Sequence, residues 1–231
     1  MAPKVIVSYD GTPNDDDALV LGRVFRDAGA GISLAYVRHF HEDDRERERL
    51  AELGAQRLLD RGAQFLGDPD LPRHTVLAGA TGEGLWQLAE REQADVVVFG
   101  SDYRTAPGHV QPGTSAQRLL EGGPVAVAIA PAGAREHAEL EITSIAVAAE
   151  DAEPTPRETA ESLARALGAA VVVDGAAADL LVVGSRPDAP AGRVLISASA
   201  SYRIETSRRP ALVVPRARVV RFSPAAVAQA V

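Results

Sequence analysis

The run Ala94-Asp95-Val96-Val97-Val98-Phe99-Gly100-Ser101, the loop behind it and the Gly113-Thr114-Ser115 at the loop's far end decide how this chain folds. Four apolar residues stopped by a glycine suit a strand buried on both faces of a parallel sheet. A glycine at the strand end lets the loop backbone come close to a bound group. Thr114 to Leu120 reads as a helix, Gly123-Pro124 as a turn, and Val125 to Ile129 as a further apolar strand. A helix opened by Gly113-Thr114-Ser115 offers free N–H groups and a positive dipole end to anionic oxygens, and the hydroxyls of Thr114 and Ser115 add donors.

Outward toward the N-terminus the same alternation continues. Val5 to Tyr9 reads as a buried strand, and Asn14 with Asp15 to Asp17 as a helix start. Ala18, Leu19, Leu21, Val24 and Phe25 then recur at helical spacing until Gly29. Ile32 to Val37 is a second strand. Glu42 to about Leu66 is a long charged helix with Leu50, Leu53, Leu58 and Phe65 in its apolar stripe. His74 to Ala78 is a third strand, and Leu85, Trp86, Leu88 and Ala89 belong to a short helix with Trp86 in the core. Strands alternating with helices imply an α/β fold with a doubly wound, parallel, five-stranded sheet. Ligands of such sheets sit beyond the carboxyl ends of the strands, at the switch in strand order.

The decisive stretch also recurs. Ala178-Asp-Leu-Leu-Val-Val-Gly-Ser185 echoes Ala94 to Ser101, and Arg209-Pro-Ala-Leu-Val-Val echoes Gly123-Pro-Val-Ala-Val-Ala. Ile145 to Ala149 and Glu158 to Leu167 echo the first strand and helix. The expected organisation is a complete domain over 1–133, a linker over 134–141, a second, shortened and degenerate copy over 142–216, and a tail over 217–231. Gly175 to Ala178 separates Val171–Asp174 from Leu180–Val183, too little for a parallel crossover of a dozen residues or more. Either Val171–Asp174 is not a parallel strand, or that part of the sheet is rearranged. The tail, with Val219, Val220 and Phe222, either adds a strand or docks on a partner.

Composition bounds the rest. The chain is 46% hydrophobic but only 4% aromatic, so its core must be aliphatic. It has no cysteine, which removes disulfides, thiol catalysis and cysteine-based zinc sites. The net charge of -8 disfavours nonspecific nucleic-acid binding, so no nucleic-acid partner is expected. No apolar run approaches the roughly 20 residues of a membrane span, and the first residues lack signal-peptide architecture. A cytoplasmic protein with no membrane partner is the expectation.

In this order of elements the chain resembles the universal stress protein family. Family domains begin with a strand ending in Asp, Gly and Ser or Thr, here Val7-Ser8-Tyr9-Asp10-Gly11-Thr12. Their fourth strand leads into a phosphate loop G-x2-G-x9-G-[S/T]. Here Gly100 and Gly113-Thr114 keep that spacing, and Tyr103 replaces the second glycine. The resemblance is close over about 3–131 and degraded over about 142–216. It implies an adenine nucleotide alpha hydrolase-like fold and a regulatory site for ATP or a related adenine nucleotide, with Mg2+. By that resemblance Asp10 and Val37 hold the nucleoside, Ser8 and Thr12 flank it, and Gly100, Gly113, Thr114 and Ser115 hold the phosphates. Plainer readings stand beside these: a turn at Asp10-Gly11, an ordinary cap at Gly113, plain core at Val37.

Tyr103 is the main obstacle, either blocking a triphosphate or pointing outward and leaving the backbone free. Asp102 and the Asp15–Asp17 run add negative charge that opposes phosphates unless Mg2+ intervenes; Arg104 and His109 offset some of it. In the second copy Pro187 stands at the second glycine position and Ser197-Ala198 where Gly-[S/T] would be, so no nucleotide is expected there. His39 and His41 with Glu42, Asp43 and Asp44 could hold a metal, but exposed loop polarity is the better reading. No nucleophile elbow, Walker loop or dinucleotide fingerprint occurs. With no general base in view, hydrolysis is expected to be at most slow and incidental. The alternative is a scaffold without nucleotide. In it the halves form a pseudo-dimer, or the chain a homodimer; the resemblance implies pairing through the edge strand that ends each domain, here Val125–Ile129 and Ala211–Val214, which would also cover otherwise exposed edges.

Overall fold

The structure, a computed structural model, describes residues 2–137, 140–172 and 178–224. In the first copy β1 (Lys4–Ser8), β2 (Gly31–Arg38), β3 (Arg73–Leu77), β4 (Val96–Gly100) and β5 (Ala126–Ala130) alternate with α1 (Pro13–Asp27), α2 (Arg45–Phe65), α3 (Thr81–Glu92) and α4 (Thr114–Leu120). After a 3-10 turn at Ala134–Glu136, the second copy contributes β6 (Ser144–Ala148), α5 (Thr155–Leu167), β7 (Ala170–Val172), β8 (Leu180–Gly184), α6 (Ala198–Thr206) and β9 (Ala211–Val214).

The strands form one nine-stranded sheet in the order β3-β2-β1-β4-β5-β9-β8-β6-β7. Each copy is parallel within itself. The order reverses between β1 and β4, and again between β6 and β8. Among the described residues the second copy has no equivalents of β3, α2 and α3. The two repeats meet where β5 and β9 pair antiparallel, Ala128 opposite Leu212. Each therefore covers the other's last edge strand, within one chain. The strands facing this junction are fully buried.

Helices cover both faces. Leu19, Leu21 and Phe25 of α1, Leu59 of α2 and Leu163 of α5 pack against one face. Leu85 and Leu88 of α3, Leu119 of α4 and Ile204 of α6 pack against the other. Local chemistry sets the helix starts. Thr12 and Asp15 form a capping box ahead of α1, with Pro13 in its first turn. The Asp44 carboxylate accepts from the N–H groups of Glu46 and Arg47 at α2.

Four readings of the sequence need correction. In α2 the buried stripe is Ala55, Leu59, Gly62 and Ala63, whereas Leu50 and Leu53 are 61% and 38% exposed and Phe65 lies at the surface. A stripe of small residues lets the helix lie close on β2, and the larger leucines are left outside. Trp86 is not in the core: it is half-buried between the guanidinium groups of Arg118 and Arg193.

The short link after β7 does join parallel strands, because the three-residue β7 ends level with the start of β8. β6 lies between them, pairing with Ala170–Val172 on one side and Leu180–Val183 on the other. Val172 is level with Ala146 and Leu180 with Ile145, so the link need not return along the strand. It has to cross two strand spacings, roughly 10 Å. Val173 and Asp174 lie outside the described residues.

Over its described residues the tail adds no strand and docks on the chain's own helices. Residues 217–222 run along α5, where the N–H groups of Val220 and Phe222 donate to Thr159 Oγ1 (3.2 Å) and Ser162 Oγ (2.8 Å). The Phe222 ring stacks on Phe25 of α1, 5.6 Å between centroids. The tail thus ties the second copy's first helix to the first copy's. Residues 225–231 lie outside the described part.

Candidate functional site

At the end of β1 the chain turns sharply. Gly11 has φ +83°, and a Cβ there would sit 2.1 Å from the Arg61 guanidinium. Arg61 reaches over from α2, donating from Nη2 to the Gly11 carbonyl (3.0 Å) and from Nε to the Tyr9 hydroxyl (3.2 Å). Asp10 Oδ1 accepts from the Thr12 N–H, and Asp15 Oδ2 accepts from the Asp10 N–H (2.8 Å) and the Thr12 hydroxyl (3.0 Å).

The Asp10 and Asp15 carboxyl groups act on each other across this turn. Burial first, then the bond to Asp10 and its charge, push Asp15 up to about 8. The bond from Asp15 holds Asp10 below the usual carboxylate range. The pair therefore shares one proton, and Asp10 is the ionised member.

The expected block of negative charge at Asp15–Asp17 is accordingly broken up. Asp15 is protonated near neutral pH. Asp17, fully buried, accepts from the N–H groups of Gly133 (2.9 Å) and Arg135 (2.7 Å) and pairs with the Arg135 guanidinium at 2.9 Å. Asp16 accepts from the Tyr9 hydroxyl.

The second wall of the site is the loop between β4 and α4. A Cβ on Gly100 would fall 1.9 Å from the carbonyl oxygen of Asn14, so a side chain there would push α1 off the sheet. The Asn14 amide donates back to the Ser101 carbonyl at 2.7 Å. Ser101 is buried, its hydroxyl donating to the Ala130 carbonyl (2.7 Å) and accepting from the Gln111 N–H (3.2 Å).

The second copy repeats the main bonds of this loop. Ser185 donates to the Val214 carbonyl (2.7 Å) and accepts from the Leu195 N–H (3.4 Å). Asp102 N–H to Gln111 O is matched by Arg186 N–H to Leu195 O, and Gly108 N–H to Ala132 O by Gly192 N–H to Arg216 O. Gly108 and Gly192 have φ of +77° and +76°. Tyr103 and Pro187, where the family has glycine, are not among the positive-φ residues of the described part. The loop does not need a second glycine to keep its shape. Tyr103 itself is 72% exposed, with its hydroxyl accepting from Arg104 Nε at 2.7 Å.

β1 and β4 are neighbours, with Val7 level with Val98, so Ser8, Asp10, Thr12 and Gly100 share one end of the sheet. Gly113 caps α4, followed by an exposed Thr114 and a half-buried Ser115. The carboxylate of Asp102 comes within 3.9 Å of the place a Gly113 Cβ would take. A cavity of about 380 Å³ runs from Asp10 to Tyr36, Phe40, Gly54 and Leu58. Val37 is not in that cavity: its side chain is buried on the opposite face, against Gly84 of α3.

The loop before α2 is fastened by Glu48, which Arg38 binds through both Nη atoms (2.9 and 2.7 Å). The Arg38 bonds, then the Glu42 N–H and His41, bring Glu48 down to about 2. His41 contacts Glu48 and His39 contacts the Ala78 carbonyl. Among the described residues no three metal-ligating side chains gather.

In the second copy, Glu150 stands where the first has Asp10. Its Oε1 accepts from the hydroxyls of Ser197 and Ser199, the latter at 2.7 Å, at the start of α6. Sequence reading missed Tyr9, Arg61, Asn14 and Arg135 in the first copy. Their partners lie far along the chain, and only the fold brings them together.

A family model, the universal stress protein family, matches residues 1–131, more than half of the chain. The chain belongs to the universal stress protein family. No curated protein sequence matches it. Among solved structures, a universal stress protein from Archaeoglobus fulgidus DSM 4304 is similar at a TM-score of 0.69 and 14% identity, over 92% of this chain and 98% of that one. A functionally unknown protein from Pseudomonas aeruginosa PAO1 is similar at 0.58 and 14% identity, over 94% and 93%. At these identities the likeness is one of fold. It extends through the second copy of this universal stress protein as well as the first. Among its described residues no helix is long and apolar enough to cross a membrane.

Proposed function

We propose that this universal stress protein is a regulatory protein of the stress response that binds ATP or a related adenine nucleotide at the carboxyl ends of β1 and β4. The observation that carries this reading is the exposed position of Tyr103, whose hydroxyl is held by Arg104 rather than packed against the strand ends beside Asp10. Ionised Asp10 would hold the nucleoside at the mouth of the 380 Å³ cavity. The start of α4, with Thr114 and Ser115, would take phosphate oxygens. Asp102 lies close to that end. A polyphosphate there needs a counter-cation, so the nucleotide is expected to enter with Mg2+. In this reading the role is binding, with hydrolysis at most slow and incidental.

The test is calorimetric titration of ATP with Mg2+, after the purified stock has been checked for retained nucleotide. Binding in the micromolar range that is lost in Asp10→Ala supports the reading. Tyr103→Gly should change the affinity by less than about threefold, since the ring is already exposed. No binding and no retained nucleotide would sink it. That result leaves the second reading, a scaffold without nucleotide, which the β5–β9 junction and the carboxylate of Asp102 beside Gly113 favour.

A further inference from the structure

The repeat contains a place that one copy fills and the other leaves open. Gly100 pairs with Ala130 and Gly184 with Val214, so the residues that follow β5 and β9 correspond one to one. Pro131 answers to Pro215, and Gly133 to Ala217, both with left-handed backbones at φ +84° and +54°. The next pair is Ala134 and Arg218.

Arg218 fills its place with a guanidinium. Nη1 donates to the Pro124 carbonyl (2.7 Å), and Nη2 to the Ala94 carbonyl and to Asp95 Oδ1 (both 3.1 Å). In the same register those three residues answer to Arg208, Ala178 and Asp179. Around them lies a cavity of about 310 Å³, and Ala134, Ala178, Asp179 and Arg208 all line it. The methyl group of Ala134 cannot reach across as Arg218 does.

The acceptors that hold Arg218 recur. Asp95 is anchored through Oδ2 by the Lys4 N–H (2.9 Å), and Asp179 through Oδ2 by the N–H groups of Thr143 (3.0 Å) and Ser144 (2.9 Å). The other oxygen, Oδ1, takes Arg218 in the first copy; in the second, no hydrogen bond reaches it among the described residues. A carboxylate oxygen fixed beside backbone carbonyls suits a planar cationic donor. The carboxylates of Asp179, Glu136 and Glu141 stand on the cavity walls against the guanidinium groups of Arg208 and Arg209.

We propose that this cavity binds a guanidinium group brought from outside, held by the Asp179 carboxylate and the carbonyl oxygens of Ala178 and Arg208 as the first copy holds Arg218. It shares no residue with the Asp10 cavity and does not depend on the nucleotide reading.

The probe is agmatine, a free guanidine, titrated into the full-length protein while the amide signals of Ala178 and Asp179 are followed by NMR. They should shift saturably. Putrescine, with an amine in place of the guanidine, should bind at least about tenfold more weakly, the scale of one charge-assisted hydrogen bond. Ala134→Arg puts the chain's own guanidinium where Arg218 stands in the other copy, and should weaken agmatine by at least about tenfold. Asp179→Asn keeps one oxygen for Thr143 and Ser144 but turns the other into a donor, and should do the same; it is the readout if the arginine variant does not fold. N-acetylarginine amide separates the sources: binding as tight as agmatine's marks an arginine side chain of a partner protein, and weaker binding a free guanidine. No saturable shift in the wild type overturns the proposal. So does putrescine binding as tightly as agmatine, or undiminished agmatine binding in a folded variant.

Discussion

Asp10 and Asp15 show how one proton can be written into a site. A carboxyl group raised to about 8 in the folded chain holds a proton that the unfolded chain gives up near 4. Between those values the folded state binds more protons, so stability falls as pH rises, by at most about 1.4 kcal/mol per pH unit. Asp10, lowered in the folded state, contributes stability above its ordinary value and loses it only in acid, outside this window. Urea unfolding at about pH 5 and about pH 8 should therefore show a loss that Asp15→Asn abolishes. An equal loss in the variant would place the proton elsewhere. At this scale the sequence spoke partly. Asp10-Gly11-Thr12 announced a turn, and Gly100 a close approach, because their neighbours in sequence carry the signal. Arg61 over Gly11 and Asn14 on Ser101 are contacts across 50 and 87 residues, and no local pattern encodes them.

Among the elements, the tail does more than its sequence suggested. Val220 and Phe222 are buried, and Ser162 of α5 both donates to and accepts from the Phe222 backbone. Phe222→Ala should remove the stack on Phe25 and leave a gap between α1 and α5, costing about 3 kcal/mol in chemical denaturation. A change below about 0.5 kcal/mol would mean the tail lies loosely on the surface. The strands and helices of the first copy were legible because apolar runs and helical spacing are local. The α2 stripe was misread because leucine spacing suggested a buried face, whereas the close approach to β2 selects alanine and glycine. The β7–β8 link was misread because crossover length was judged for full-length strands, whereas β7 has three residues and ends level with the start of β8.

For the whole molecule, the junction between repeats has two parts: the β5–β9 pair and a contact beside it. Gly122 N–H donates to the Val194 carbonyl (2.7 Å) and Val194 N–H to the Gly123 carbonyl (2.8 Å), just after α4. Trp86, the single tryptophan, sits there with Arg118 of α4 5.1 Å and Arg193 of the second loop 5.5 Å from its ring. Nucleotide engaging the start of α4 should shift that helix against the ring. A saturable change in tryptophan emission should then follow ATP, and vanish in Asp10→Ala. Calorimetric binding with unchanged emission would show that α4 stays still. The family resemblance, with its pairing through the strand that ends each domain, pointed to the strands that meet. It did not foretell that Arg193 and Arg118 would share one ring.

The matched hydrogen bonds of the two loops make them interchangeable parts. Segments 100–113 and 184–197 have one length, and both are anchored by a serine at the second position and a left-handed glycine at the ninth. Splicing the first into the place of the second should thus give a chain that folds as before. Shape and chemistry in this loop can be inherited apart, and a copy that has shed one can keep the other as a mould to be refilled.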